Sequence, residues 1–127
     1  MTDHFSTKAW PTEINLKKAE KLLVVAFDDG AVFSLPAEYL RVESPSAEVQ
    51  GHGPGQKVIV AERAHVGILA LEPVGNYAIR IRFDDLHDTG IYSWQYLHEL
   101  GREQEQRWAT YLQELETRGL SREPKRR

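Results

Sequence analysis

The chain has 127 residues, 41% of them apolar and 28% charged, with a formal net charge of −3; such a chain suits one globular domain that buries about two-thirds of its unfolded surface. No apolar run approaches the roughly 20 residues that span a bilayer, which argues against a membrane protein, and the acidic balance argues against nucleic acid as the main partner. With no cysteine present, disulfides, thiolate zinc sites, cysteine nucleophiles and thiolate-held iron–sulfur clusters are excluded together.

The opening MTDHFSTKAWP shows neither a secretory nor an import pattern, so a cytoplasmic location is expected, with residues 1–9 flexible ahead of a single domain over 10–117. Glu13 to Lys17 and Leu22 to Phe27 are short apolar-rich segments, and Asp28-Asp29-Gly30 separates the second from Ala31 to Leu35. This is a hairpin signal, since Gly30 tolerates the positive φ of a tight turn and the aspartates can bond its amides. Lys17, Lys18 and Lys21 read as a solvated face. Pro36 suits the first position of a short helical turn, PAEYLR, from which Tyr39 and Leu40 point inward.

From Ser44 to Lys57 the chain lacks apolar periodicity and carries three glycines and two prolines, so a loop is expected. Its glycines do not make a phosphate-binding loop, because the lysine and the strand-to-helix context are missing. Val58 to Ala61 is a candidate short strand, Val66 to Leu71 a clearer one, and EPVGN a turn. Beyond it Tyr77, Ile79, Ile81 and Phe83 alternate with Ala78, Arg80 and Arg82, the period of a half-buried strand. Ser93 has the chemistry to cap a helix starting at Trp94. A break or bend is expected at Gly101, after which Trp108, Tyr111, Leu112 and Leu115 form one apolar stripe, with Glu103 and Arg107 paired across a turn. The basic segment 118–127 has too little apolar material to pack and is expected to be flexible.

The densest polar cluster is FDDLHDTGIYSW, from Phe83 to Trp94. Here His87 with Asp85 or Asp88, joined by His52 from the glycine-rich loop, is a candidate iron or zinc site, and His87 is also a candidate general base, since histidine titrates close to neutrality. Ser93 lacks the glycine-flanked elbow of a hydrolase nucleophile. Tyr92, Trp94, Arg80 and Arg82 are candidates for partner contact; core packing is the alternative for Tyr92 and the favoured reading for Trp94.

The succession FDDG, LPAEYLR, EPVGNYAIRIRFDDLHDTGIYSW and YLHELG resembles the small domain known as unknown-function family DUF971, also called the gamma-butyrobetaine hydroxylase-like N-terminal domain, over about residues 10 to 115. The family occurs alone in bacteria, ahead of some 2-oxoglutarate-dependent oxygenases, and fused to P-loop iron–sulfur carriers in plastids. The resemblance implies an α+β fold, a small mostly antiparallel β domain with a short helix after the first hairpin and a C-terminal helical segment. It implies an accessory or protein-interaction role, with a link to iron–sulfur or metalloprotein maturation, rather than an enzyme, because the oxygenase catalytic domain is a separate, larger unit. A protein partner is expected; self-association is left open.

In zinc-binding members three cysteines follow the helical turn and a histidine precedes the GIYSW-like stretch. By the resemblance these positions fall on Ser44, Ser46, Val49 and His87, so three of the four ligands are absent. The expectation is no structural zinc and no cofactor, with the loop closed by serine hydrogen bonds and by burial of Val49. Leu86 stands where the family usually has glycine.

Overall fold

The computed structural model describes residues 9–51 and 55–124. Strand β1 (Pro11–Lys17) pairs antiparallel with β2 (Leu22–Phe27), which pairs antiparallel with β3 (Val32–Pro36). The turn between β2 and β3 is the one the aspartates and glycine signal: Gly30 has φ 91°, and the Ala31 amide donates to Asp29 Oδ1 at 2.9 Å. Helix α1 (Ala37–Val42) follows directly, with Pro36 ending the strand as the helix cap rather than opening the first helical turn. A one-turn helix, α2 (Ala47–Gln50), lies where a loop is expected, because the Ser46 hydroxyl accepts from the Glu48 amide and so caps it.

The second sheet is β4 (Ile68–Val74), β5 (Ala78–Phe83) and β6 (Ile91–Ser93), antiparallel in that order. Val58 to Ala61 is not a strand; its residues cover the second part of the core while Val60 O accepts from Tyr111 Oη at 2.6 Å. The turn before β5 is narrower than EPVGN, since Glu72, Pro73 and Val74 complete β4. Tyr77 consequently sits in the turn, 56% exposed, and Ile79 rather than Tyr77 opens the buried row.

Ser93 caps α3 (Trp94–Arg102), its hydroxyl accepting from the Tyr96 amide at 3.0 Å. Gly101 lies inside this helix and the break comes at Glu103, ahead of α4 (Gln104–Thr117). The reason is packing: a Cβ at Gly101 would lie 2.2 Å from the Phe33 ring, so the glycine lets α3 press against β3. On α4, Tyr111 and Leu115 are buried and Trp108 partly so, whereas Leu112 is exposed.

The main core is shared by both sheets and two helices, with Leu23, Val25 and Phe27 against Ile79, Ile81 and Phe83, and Leu40, Leu97 and Leu100 closing it. A smaller cluster joins Val42, Val49, Val60, Tyr111 and Leu115, and Trp108 packs against both. Four tyrosine hydroxyls donate to main-chain carbonyls distant in sequence: Tyr39 to Leu100, Tyr92 to Leu40, Tyr96 to Glu43 and Tyr111 to Val60.

The carboxyl-terminal segment, as far as it is described, makes polar contacts with the domain. Ser121 O and Arg122 O accept from the amides of Glu62 and Ala64, and Arg122 pairs with Glu38. Polar contacts hold it where its composition offers no apolar anchor. The expectations for residues 1–8 and 125–127 lie outside the described residues, as does His52.

Candidate functional site

The end of α1 and the cap of α2 bring Ser44 and Ser46 to the turn between β5 and β6, which carries His87. Residues 43 apart in sequence thereby meet: Ser44 Oγ lies 2.9 Å from His87 Nε2. On the other side of the ring, Nδ1 lies 3.0 Å from Glu48 Oε1. His87 is buried, and its ring tilts toward Phe83.

The bond directions close on one arrangement. Ser46 Oγ accepts from the Glu48 amide and sits 2.7 Å from Thr89 Oγ1, which donates to Glu48 Oε1. Glu48 then accepts from His87 Nδ1, and Nε2 accepts from the Ser44 hydroxyl, whose oxygen also receives the Ser46 amide. In the neutral ring the Glu48 carboxylate places the imidazole proton on Nδ1. Burial lowers the pKa of His87, and the nearby Arg41 charge adds to this, against the opposing pull of Glu48 and Asp85.

Asp85 supports the turn rather than the ring. Its Oδ1 accepts from the His87 amide at 3.1 Å, and its Oδ2 accepts from Arg41 Nε at 2.8 Å and Arg63 Nε at 2.7 Å. Burial raises its pKa, but the Arg41 hydrogen bond, the His87 amide and Arg63 together bring it below the usual carboxylate range. Arg41 is itself buried, with Nη1 unpartnered among the described residues. Leu86, between Asp85 and His87, holds a φ of 75° and is 84% exposed. Gly90 closes the far side: a Cβ there would fall 2.5 Å from Ser44 Oγ.

These donors do not fit a zinc ion. The hydroxyls of Ser44 and Ser46 stay protonated near neutral pH and are engaged with each other's neighbours, and Val49, 2% exposed, offers no donor and packs among Val42, Val60 and Tyr111. The fixed cation Arg41 beside the ring further opposes a dication. Among the described residues there is no group of three or more histidine, aspartate or glutamate side chains placed to share an ion.

The remaining candidates separate. Tyr92, read from the sequence as a partner contact or core, is core: it has no exposed surface, and its hydroxyl donates to Leu40 O beside Ser44. Arg80 and Arg82 are exposed on the outer face of β5, both bonded to Glu72 across the ladder. Trp94 is half-buried, its indole donating to Asn76 O at 2.9 Å. With the exposed Trp10 and Tyr77 it lines a shallow cavity of about 260 Å³. Sequence reasoning misses Glu48, which has no motif and meets His87 only through the fold. It also misses Trp10, isolated ahead of the first strand.

Two antiparallel three-stranded sheets with short helices and a C-terminal helical pair define an α+β domain. The model of the family described as gamma-butyrobetaine hydroxylase-like, N-terminal, matches residues 14–98, and the chain belongs to that family. Two proteins with NMR solution structures are similar to it. One is 45% identical, with 94% of each chain covered and a TM-score of 0.81. The other is 46% identical, with 98% of this chain and 92% of that one covered and a TM-score of 0.80. The crystal structure of a protein of unknown function from Acidithiobacillus ferrooxidans ATCC 23270, belonging to the DUF971 family, is 35% identical over 72% of this chain and 91% of that one, with a TM-score of 0.56. A search among curated proteins finds no match. Among the described residues no helix is long and apolar enough to cross a membrane.

Proposed function

We propose that the chain is a non-catalytic accessory domain that acts by binding another protein. The observation that carries this reading is the state of His87: both ring nitrogens are hydrogen-bonded within the chain, to Ser44 and Glu48, in a buried setting. A general base needs a nitrogen within reach of a substrate proton, and a metal ligand needs a free lone pair. Ser44, His87 and Glu48 stand in the order of a nucleophile, a base and an orienting carboxylate, but Ser44 has no exposed surface and the ring is buried, so neither a substrate nor an ion reaches them and the imidazole ties the loop of α2 to the second sheet.

The contact face this reading favours is the exposed aromatic surface of Trp10, Tyr77 and Trp94, with Arg80 and Arg82 beyond it on β5. Large aromatic and arginine side chains contribute most to protein interfaces. The family's occurrence beside oxygenase and iron–sulfur carrier domains suggests a partner in iron–sulfur or metalloprotein maturation, by analogy.

Capture experiments with tagged protein and with the Trp10→Ala, Tyr77→Ala double variant test the proposal. A stoichiometric protein partner should be recovered by the native chain and lost by a folded variant; recovery of nothing above a denatured-bait control overturns it. In parallel, untagged protein should carry no stoichiometric zinc or iron, and its melting temperature should be unmoved by EDTA. Stoichiometric metal lost on His87→Ala would establish the metal-binding alternative.

A further inference from the structure

The carboxyl-terminal segment ends in a contact set that is built for one chemical group. Arg122 Nε donates to Glu38 Oε2 at 2.9 Å and Nη2 to Glu38 Oε1 at 2.7 Å, a bidentate pair, while its guanidinium carbon sits 5.4 Å from the centre of the Trp108 ring. Glu38 is 7% exposed, and every hydrogen bond its carboxylate makes among the described residues comes from Arg122. A buried carboxylate without a cation carries a large desolvation cost, so this position demands a planar, forked cation with an aromatic face beneath it. Lysine would satisfy neither the fork nor the stacking.

The segment that supplies the guanidinium is weakly anchored otherwise. Residues 118–124 are all exposed, Leu120 included. Apart from the contacts of Arg122, its links among the described residues are two main-chain bonds to Glu62 and Ala64, the exposed pair of His65 with Glu123, and bonds back to the end of α4 from Arg118, Gly119 and Leu120. A cleft of about 300 Å³ stays open beside Arg122, lined by Pro36, Tyr39, Gln104 and Trp108, with room for residues flanking a second arginine.

We propose that Glu38 and Trp108 form a guanidinium-binding site for an extended, arginine-bearing segment of a partner protein, and that residues 120–124 occupy it as a built-in competitor. The amides of Glu62 and Ala64 hold the backbone of whichever segment is bound, and Glu38 with Trp108 selects arginine. Because the competitor is tethered, the apparent affinity for a partner is the intrinsic affinity multiplied by the fraction of time the site is open. This deepens the reading of the domain as an interaction module by naming what one of its surfaces recognises. It uses a different face from the aromatic one.

The test uses the full-length chain and its Arg122→Gln variant, each isotopically labelled, titrated with an acetylated, amidated peptide of sequence Gly-Leu-Ser-Arg-Glu-Pro and with the same peptide carrying citrulline for arginine. The arginine peptide should bind the variant saturably, moving the Trp108 indole and the Ala64 amide resonances. Binding to the native chain should be at least ~10-fold weaker, and the citrulline peptide should bind neither. A folded variant that shows no saturable shift, equal binding of the two peptides, or equal affinity of the two proteins would overturn the proposal. Should Arg122→Gln not fold, the native chain decides: at roughly hundredfold excess of arginine peptide the Arg122 amide must move toward its random-coil position, and its failure to move overturns the proposal. A negative result here removes the arginine site and leaves the partner expected at Trp10 and Tyr77 to be judged by capture.

Discussion

At the scale of single residues, the turn that presents His87 contains its own strain. Leu86 adopts a left-handed conformation and is almost wholly exposed, so no packing compensates the roughly 1–2 kcal/mol such a backbone costs a side chain with a Cβ. Leu86→Gly relieves that strain but frees the unfolded chain, which offsets about 0.5–1 kcal/mol. A net gain of about 0.5–1 kcal/mol is expected, read as a higher urea midpoint at unchanged slope; a lower midpoint would show that the leucine side chain is stabilising. His87 gives a pH dependence of definite sign. Its folded pKa is depressed, so the unfolded chain binds the proton more readily, and stability present above about pH 6.5 is lost as pH falls from there toward the folded value. Melting temperatures between neutrality and mild acid should therefore fall less for His87→Gln than for the native chain, after allowing for the lower starting stability of the variant. The serines and His87 are legible as a set only through the family resemblance, because hydroxyl groups carry no spacing rule of their own. Glu48 completes the network through a contact of high sequence separation that no local pattern encodes.

The elements were legible where local chemistry and periodicity agree. The β2–β3 turn follows from Asp29 and Gly30, and the start of α3 from the Ser93 cap. The row Ile79, Ile81 and Phe83 follows from alternation. They were misread where one residue type serves two purposes. Gly101 suggests a helix break from propensity, yet it sits inside α3 because the Phe33 ring occupies the space of its Cβ. Tyr77 continues the alternating pattern in sequence, but the register of β4 with β5 pairs Val74 with Ala78 and leaves Tyr77 in the turn. Gly101→Ala separates propensity from packing. Alanine favours a helix interior by about 1 kcal/mol, but the overlap with Phe33 should cost more, so a net loss of about 1–3 kcal/mol is expected in denaturant unfolding. Combining it with Phe33→Ala should recover part of that loss, as a double-mutant cycle with favourable coupling. Strictly additive losses would place the strain elsewhere.

For the whole molecule, the sequence supports an antiparallel α+β domain but not its division into two sheets, since the pairing of β4, β5 and β6 away from β1, β2 and β3 depends on contacts far apart in the chain. The shared core of both sheets gives the fold apolar support that does not pass through the loop of α2. Val49 is buried in the smaller cluster and Ser46 caps α2, so this loop is closed by packing and hydrogen bonds, with burial worth roughly 1.5–3 kcal/mol for a large apolar side chain. The contacts of the carboxyl-terminal segment were not legible, because composition measures apolar anchoring and is blind to a single buried carboxylate such as Glu38 that pairs with Arg122.

The four phenols that donate to carbonyls distant in the chain bear on alkaline solution. Burial raises the pKa of Tyr39, Tyr92, Tyr96 and Tyr111, the last to about 12, because a phenolate there would lose its solvation and face a carbonyl oxygen. The native state thus refuses to release these protons while the opened chain releases them near pH 10, so stability declines as base is added above that point. Spectrophotometric titration should show these rings ionising together with loss of the far-ultraviolet circular dichroism, and recovering together on back-titration. Smooth ionisation of all five tyrosines with the ellipticity intact would mean that these ties are not made in solution.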